Sequence, residues 1–242
     1  MIPKIIHYCW FGPKPFSRTV KKCLKTWHKH LPDYEFCFWN EQTCATYAEE
    51  HHIPNPMEHP FVQSAYKAQK YAFVADYVRF WALYHIGGIY LDTDMYVLRS
   101  FTPLLQAQFF CGWETATEGA AGQCAPAEAG STVSCGALGA CARDILNQYD
   151  ELLFDEAHIA DYVIPRIITP IIRQHPEVTI YPYDYFYPYP YNCRMEPNFM
   201  KYATSRTLAI HLWDLSWSTW QRKLHYNIFA LLKRVKDKLI KK

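Results

Sequence analysis

Residues 87–97 read GGIYLDTDMYV, and the parsing of this stretch decides the fold. Gly87 and Gly88 close the helical pattern before them, since glycine readily takes the backbone that ends a helix. Ile89, Tyr90 and Leu91 then open a strand, and IYLDTDMYVL as a whole reads as one. Asp92 and Asp94 lie within it, one residue apart. Side chains at i and i+2 of a strand share a face. The two carboxylates therefore converge if the strand runs through them, and cluster at its end if it stops there. Neighbouring carboxylates repel and raise one pKa unless a cation sits between them. Hard oxygen ligands suit Mg²⁺ or Mn²⁺, and two carboxylates leave water and phosphate oxygens to complete the shell. A strand ending in D-x-D thus suits a metal-diphosphate substrate. The competing reading is a pair of aspartates in a solvated turn.

Upstream, KIIHYCWF (4–11) has the apolar run of a buried strand. Residues 17–30 place Val20, Leu24 and Trp27 at helical spacing, with Ser17 as the cap. LPDYEFCFWN (31–40) reads as a turn and a strand, 41–52 as a short helix and 53–60 as a loop. Residues 63–86 predict one long helix, with Ala72, Ala75, Val78, Ala82 and Ile86 on one side. Downstream, FFCGWE (109–114) predicts a strand and 115–133 a long loop of the kind that is often functional. Residues 140–153 are helical, and 155–174 are interrupted by Pro165 and Pro170. Residues 178–192 form a strand and a Tyr-Pro loop, and 208–218 a late strand or loop. The strand-helix alternation at the start predicts an α/β sheet.

The chain has 242 residues, half of them hydrophobic, with 8 Trp, 19 Tyr and 14 Phe. That suits one large domain, or one with an appendage. A net charge of +2 argues against a general nucleic-acid binder. Nine cysteines without a C-x-x-C pair predict free thiols in a reducing cytosol rather than a zinc ribbon. Neither a secretory leader nor a membrane span is expected from the sequence. From Gln221 the chain turns helical. Leu224, Ile228, Leu231, Leu232, Val235 and Leu239 line one side, and Arg222, Lys223, Lys233, Arg234, Lys236, Lys238, Lys241 and Lys242 the other. The division is therefore a domain at 1–220 and a basic amphipathic helix at 221–242. That helix suits an anionic membrane surface, or docking on the core with a solvated basic face. The expected location is cytoplasmic, peripheral on the inner face of the membrane.

FVADYVRFWALYHIGGIYLDTDMYVLRSF (73–101) resembles the DXD-containing sugar-transferase region of glycosyltransferase family 32. That family includes capsular and exopolysaccharide transferases and yeast-type mannosyltransferases. The stretch is also similar to the catalytic part of clostridial glucosylating toxins. IPKIIHYCWFG (2–12), Trp27 and the following FCFWNE resemble the family's opening pattern, and AIHLWDLSW (209–217) its close. The resemblance covers roughly 1–217. It implies a GT-A type, Rossmann-like fold with a mixed central sheet, a nucleotide-sugar donor (UDP-sugar favoured), Mn²⁺ or Mg²⁺, and retention of anomeric configuration.

Residue by residue, the resemblance gives Asp92 and Asp94 the metal and the donor ribose or diphosphate. Asp76 and Arg79, which share a helix face at i, i+3, contact the donor sugar. Tyr90 is a donor-site aromatic, and Trp10 falls where the family stacks an aromatic on the base, or else is a core Trp. His211 is the third protein ligand of the metal. Ser216 and Trp217 close over the diphosphate. Glu114 is a further acidic candidate, because strand ends surround the site of an open α/β sheet; Asp155 and Glu156 suit surface or capping roles better. The tyrosines of 181–191 pack the domain edge and expose one or two rings to the acceptor, a glycan or lipid-linked glycan. The expected function is hexose transfer in capsular, exopolysaccharide or lipopolysaccharide synthesis by a bacterial enzyme. The alternatives are a haloacid-dehalogenase-like phosphatase using the D-x-D, and a nucleotide-sugar-binding module without catalysis.

Overall fold

The computed structural model describes residues 1–114, 129–135 and 139–214. Its centre is a six-stranded sheet in the order β2-β1-β3-β6-β5-β7. The strands are β1 (Ile5–Cys9), β2 (Glu35–Trp39), β3 (Gly88–Tyr90), β5 (Phe109–Trp113), β6 (Ala129–Cys135) and β7 (Val178–Tyr181). Only β6 runs antiparallel to its neighbours; β2-β1, β1-β3 and β5-β7 are parallel pairs. A separate antiparallel ribbon joins β4 (Met95–Val97) to β8 (Ala209–His211).

The helices are α1 (Arg18–His30), α2 (Glu41–His51), α3 (Pro60–Lys67), α4 (Tyr71–Ile86), α5 (Ala140–Asp150) and α6 (Ile164–Ile172). Ser17 caps α1 as expected, its side chain accepting from the Val20 amide at 3.1 Å. Two cores result. One packs α2 to α6 together around Trp39, Phe61, Val78 and Trp81. The other packs Trp27, Ile89, Met95, Phe101 and Phe186. The reading of α/β with a mixed sheet is correct.

Four local expectations change. The single helix over 63–86 is two, broken at residues 68–70. Gln69 takes a left-handed backbone, φ 57°. Its amide reaches the Tyr66 carbonyl and that of Lys70 reaches Ala65, both at 2.9 Å, which is the paired closure of a Schellman end. Second, α4 has no single apolar side, since every residue from Asp76 to Leu83 is buried. Third, the long loop over 115–133 is too long: 129–135 is β6, held by backbone ladders to β3 and β5. Residues 115–128 lie outside the described residues.

The fourth change concerns the opening stretch. The strand stops at Tyr90, after which the Leu91 amide makes one more bond to the His7 carbonyl at 3.0 Å. The chain then turns, with the Met95 amide on the Asp92 carbonyl at 3.0 Å, and re-enters as β4 in the other sheet. The aspartates therefore sit on a turn at the carboxyl edge of β3. Gly88 makes this approach possible. Its φ is 110°, and a Cβ there would lie 2.8 Å from the Ile5 carbonyl oxygen. Buried His7 supports the same corner, donating from Nε2 to the Gly87 carbonyl at 2.7 Å and accepting the Trp39 indole N–H on Nδ1 at 3.1 Å. Burial, opposed by that carbonyl, lowers its pKa to about 4, so the ring is neutral.

Candidate active site

The site is built on three pieces of chain: the middle of α4, the turn after β3 and the end of β8. Asp76 and Arg79 come from α4. Arg79 Nη2 donates to Asp76 Oδ1 at 2.6 Å and lies 3.3 Å from Asp92 Oδ1. Its guanidinium also stacks on the Tyr90 ring, 4.2 Å from the centroid. One buried cation thus ties α4 to the first aspartate of the motif. Burial raises the Asp76 pKa to about 7; Arg79 opposes and Asp92 adds to the rise.

The second aspartate faces the other way. His211 Nε2 lies 3.0 Å from Asp94 Oδ1, and the Asp214 amide donates to Asp94 Oδ2 at 2.8 Å. Burial alone would raise the Asp94 pKa, but the His211 charge and these hydrogen bonds leave it below the ordinary carboxylate value. Burial likewise disfavours the His211 cation, and Asp94 outweighs it, lifting the imidazole to about 9, with Asp92 and Glu114 contributing. Glu114, at the end of β5, is thus electrostatically coupled to the same corner.

Several expectations are corrected. Asp92, Asp94 and His211 do not form a three-ligand cluster, and no group of three His, Cys, Asp or Glu side chains able to hold a metal occurs among the described residues. Arg79 lies 3.3 Å from Asp92 Oδ1, while Asp94 pairs with His211. His211 Nδ1 is buried and has no hydrogen-bond partner among the described residues. The Asp94 carboxylate and a neutral His211 imidazole, with Asp92 on the same turn, are the oxygen and nitrogen donors that would hold a hard divalent cation once other ligands complete its shell.

Tyr90 is only 2% exposed, so it serves as the platform under Arg79 and not as an open face for the donor. Trp10 is half-buried at the carboxyl end of β1. Its indole N–H donates to the Lys14 carbonyl at 2.5 Å and its ring meets Phe16 edge-on. Ser216, Trp217 and the 221–242 helix lie outside the described residues. Asp155 caps a short turn, accepting from the Ala157 amide at 2.9 Å. The Tyr-rich segment packs as expected: Tyr187 and Tyr189 are buried, while Tyr183 and Tyr191 are exposed.

Two contributors escaped the sequence reading. Asp214 bridges the site, accepting from Ser17 Oγ at 2.8 Å while its amide holds Asp94. Trp213 takes a left-handed backbone, φ 56°, and packs on His211 with ring centroids 4.1 Å apart. Asp214 lies within the quoted closing pattern, but nothing in the spacing marks it as a partner of Ser17 and Asp94.

The fold and this corner define a GT-A glycosyltransferase architecture. It is similar to the solved structure of PaToxG glycosyltransferase, with a TM-score of 0.53 and 18% identity over 72% of this chain and 70% of that one. At that identity the likeness speaks for the fold alone. Within the chain, residues 17–110 match the family described as the glycosyltransferase sugar-binding region containing DXD motif. Inositol phosphoceramide mannosyltransferase 3 of Schizosaccharomyces pombe is 32% identical over 108 residues, which is 43% of this chain and 27% of that protein. A mannosyl phosphorylinositol ceramide synthase of Saccharomyces cerevisiae is 29% identical over 114 residues, 46% of this chain and 27% of that protein. The chain thus spans about a quarter of the length of these curated relatives.

Proposed function

We propose that the protein is a retaining glycosyltransferase that moves a hexosyl group from a nucleotide-sugar to a hydroxyl of a glycan or lipid-linked glycan. The observation that carries this reading is the turn after β3, where Asp92 is tied to a buried arginine and Asp94 lies 3.0 Å from His211. Asp94 and His211, with Asp92 beside them, hold Mn²⁺ or Mg²⁺, which supplies Lewis-acid stabilisation of the charge on the departing diphosphate. Arg79 fixes Asp92 and Asp76 in place, and Asp76 offers an oxygen to the hydroxyls of the donor sugar. With a pKa near 7, Asp76 can accept or donate such a hydrogen bond. Trp10, beyond the end of β1, stacks on the base.

The two relatives named above are an inositol phosphoceramide mannosyltransferase and a mannosyl phosphorylinositol ceramide synthase. Galactose, glucose, N-acetylhexosamines and mannose are all candidate sugars on the sequence, and these relatives favour mannose among them and bring GDP-sugars beside the UDP-sugars into the test. A setting in capsule, exopolysaccharide or lipopolysaccharide synthesis at the cytoplasmic face of a membrane is part of the proposal. The test is thermal-shift binding of UDP- and GDP-sugars with Mn²⁺ or with EDTA, on wild type and Asp94→Asn, followed by transfer assays. Stabilisation that needs both metal and Asp94, with product formed at retained configuration, supports the reading. Binding without turnover on any acceptor would leave a sugar-nucleotide-binding module.

A further inference from the structure

Residues 1–32 contain no Asp or Glu, yet they carry Lys4, Lys14, Arg18, Lys21, Lys22, Lys25 and Lys29. Five of these lie on α1 at intervals of three and four residues, so they form one stripe along the helix. Arg18, Lys21, Lys22, Lys25 and Lys29 are all exposed, as is His28. The opposite face, Val20, Cys23, Thr26 and Trp27, is buried. None of the five stripe cations is ion-paired among the described residues; the cations that do pair, Lys4, Lys70, Arg79, Arg166, Lys201 and Arg206, lie elsewhere.

Such a stripe works against the helix that carries it. Arg18–Lys22, Lys21–Lys25 and Lys25–Lys29 are like-charge pairs at i, i+4, which destabilise a helix. Arg18 and Lys21 also crowd its positive end. The molecule as a whole is close to neutral, at +2, so the stripe is a local concentration and not a general surplus. Apolar side chains border it. Lys22 Nζ lies 5.0 Å from the Phe199 ring centroid and 5.2 Å from that of Tyr96. Phe199 opens the turn Phe199–Tyr202, whose Met200 is 43% exposed.

We propose that the exposed face of α1 docks the protein on an anionic phospholipid surface, with Met200 entering the headgroup layer. Basic side chains beside an exposed apolar one are what a charged bilayer interface recognises, whereas a polynucleotide has no use for the methionine. The stripe starts beside the candidate site: Ser17, the cap of α1, donates to Asp214, whose amide holds Asp94. This docking goes beyond the transferase reading and stands without it, since it needs neither donor nor turnover. It also differs from membrane attachment through 221–242.

The test is sedimentation of the full chain with vesicles of phosphatidylcholine alone and of phosphatidylcholine and phosphatidylglycerol at three to one, at low and high salt. Binding is expected only to the mixed vesicles, and it weakens with salt. Lys21→Gln/Lys25→Gln/Lys29→Gln weakens it about a hundredfold, at roughly fivefold per basic residue near an anionic surface. The corresponding triple Arg variant binds like wild type, and both keep the wild-type unfolding midpoint. Neutralising Lys233, Arg234, Lys236 and Lys238 to Gln leaves most of the binding in place. The proposal is overturned if wild type ignores the mixed vesicles, or if the α1 Gln variant binds as wild type does. It is equally overturned if a duplex nucleic acid binds the stripe more tightly than the vesicles at the same salt.

Discussion

Asp94 Oδ1 and His211 Nε2 lie 3.0 Å apart across the β4-β8 ribbon, 117 residues apart in the chain. Without metal this is an ion pair, and it carries a pH signature. The folded His211 pKa is raised to about 9, above its unfolded value of 6.5. Its contribution to stability is therefore fully present below pH 6.5 and lost as pH rises through 9. A shift of that size corresponds to about 3 kcal/mol. Urea unfolding of metal-free protein between pH 6 and 10 should decline over that window, and His211→Gln should flatten the decline. An unchanged slope in the variant would remove His211 as its source.

Metal and proton compete for the same nitrogen, because a ligating imidazole must be neutral. Mn²⁺ affinity should therefore rise with pH between 6 and 9, about tenfold per unit at its steepest. Titration calorimetry at several pH values measures this, and the proton released on binding should appear as a buffer-dependent heat. Affinity that is flat with pH would mean that His211 stays outside the metal shell.

The Arg79 cluster predicts an asymmetry between partners. Removing the cation, as in Arg79→Leu, leaves Asp76 and Asp92 uncompensated and should cost about 3–5 kcal/mol. Arg79→Lys should recover only part of this, since a point charge cannot serve two carboxylates and a ring face together. Asp76→Asn keeps an oxygen near Arg79 and removes the group whose pKa is raised to about 7. That group makes wild type lose stability as pH rises from about 4 to 7, so the Asn variant should lose this dependence. Chemical denaturation of the three variants ranks them directly.

Much of this corner is legible from the chain alone. Asp92 and Asp94 stand out because two carboxylates inside an apolar run need a reason, and Asp76 and Arg79 because helical spacing puts them on one side. The limits of the strand are not legible, since the apolar pattern runs through Leu91 while the hydrogen bonding does not. Gln69 hides the break between α3 and α4, for a left-handed glutamine has no compositional marker. Small and polar residues disguise AGSTVSC as loop, although ladders on both sides hold it as β6. Asp214 reaches Asp94 from 120 residues away, a relation that only folding creates.

Gly88 offers a test of the corner independent of chemistry. At φ 110°, with a virtual Cβ 2.8 Å from the Ile5 carbonyl oxygen, alanine brings both backbone strain and a clash with backbone. Gly88→Ala should destabilise by about 2–3 kcal/mol. It should also weaken metal-dependent donor binding, because the turn bearing Asp92 and Asp94 starts two residues on from β3. Recovery of wild-type stability would show that the β1-β3 approach can relax.

Trp10 carries the last prediction. Its ring is half-buried at the end of β1 and is braced by the Lys14 carbonyl and the edge of Phe16. If it stacks on the base of the donor, Trp10→Leu should raise the donor Kd about 5- to 150-fold, as losses of base-aromatic stacking of about 1–3 kcal/mol imply. Trp10→Phe should recover much of that. The unfolding midpoint without ligand separates the two roles open to this residue. A stacking Trp10 leaves that midpoint nearly unchanged and moves only the donor-dependent shift. A core Trp10 lowers the midpoint by several degrees and leaves the donor-dependent shift as it was.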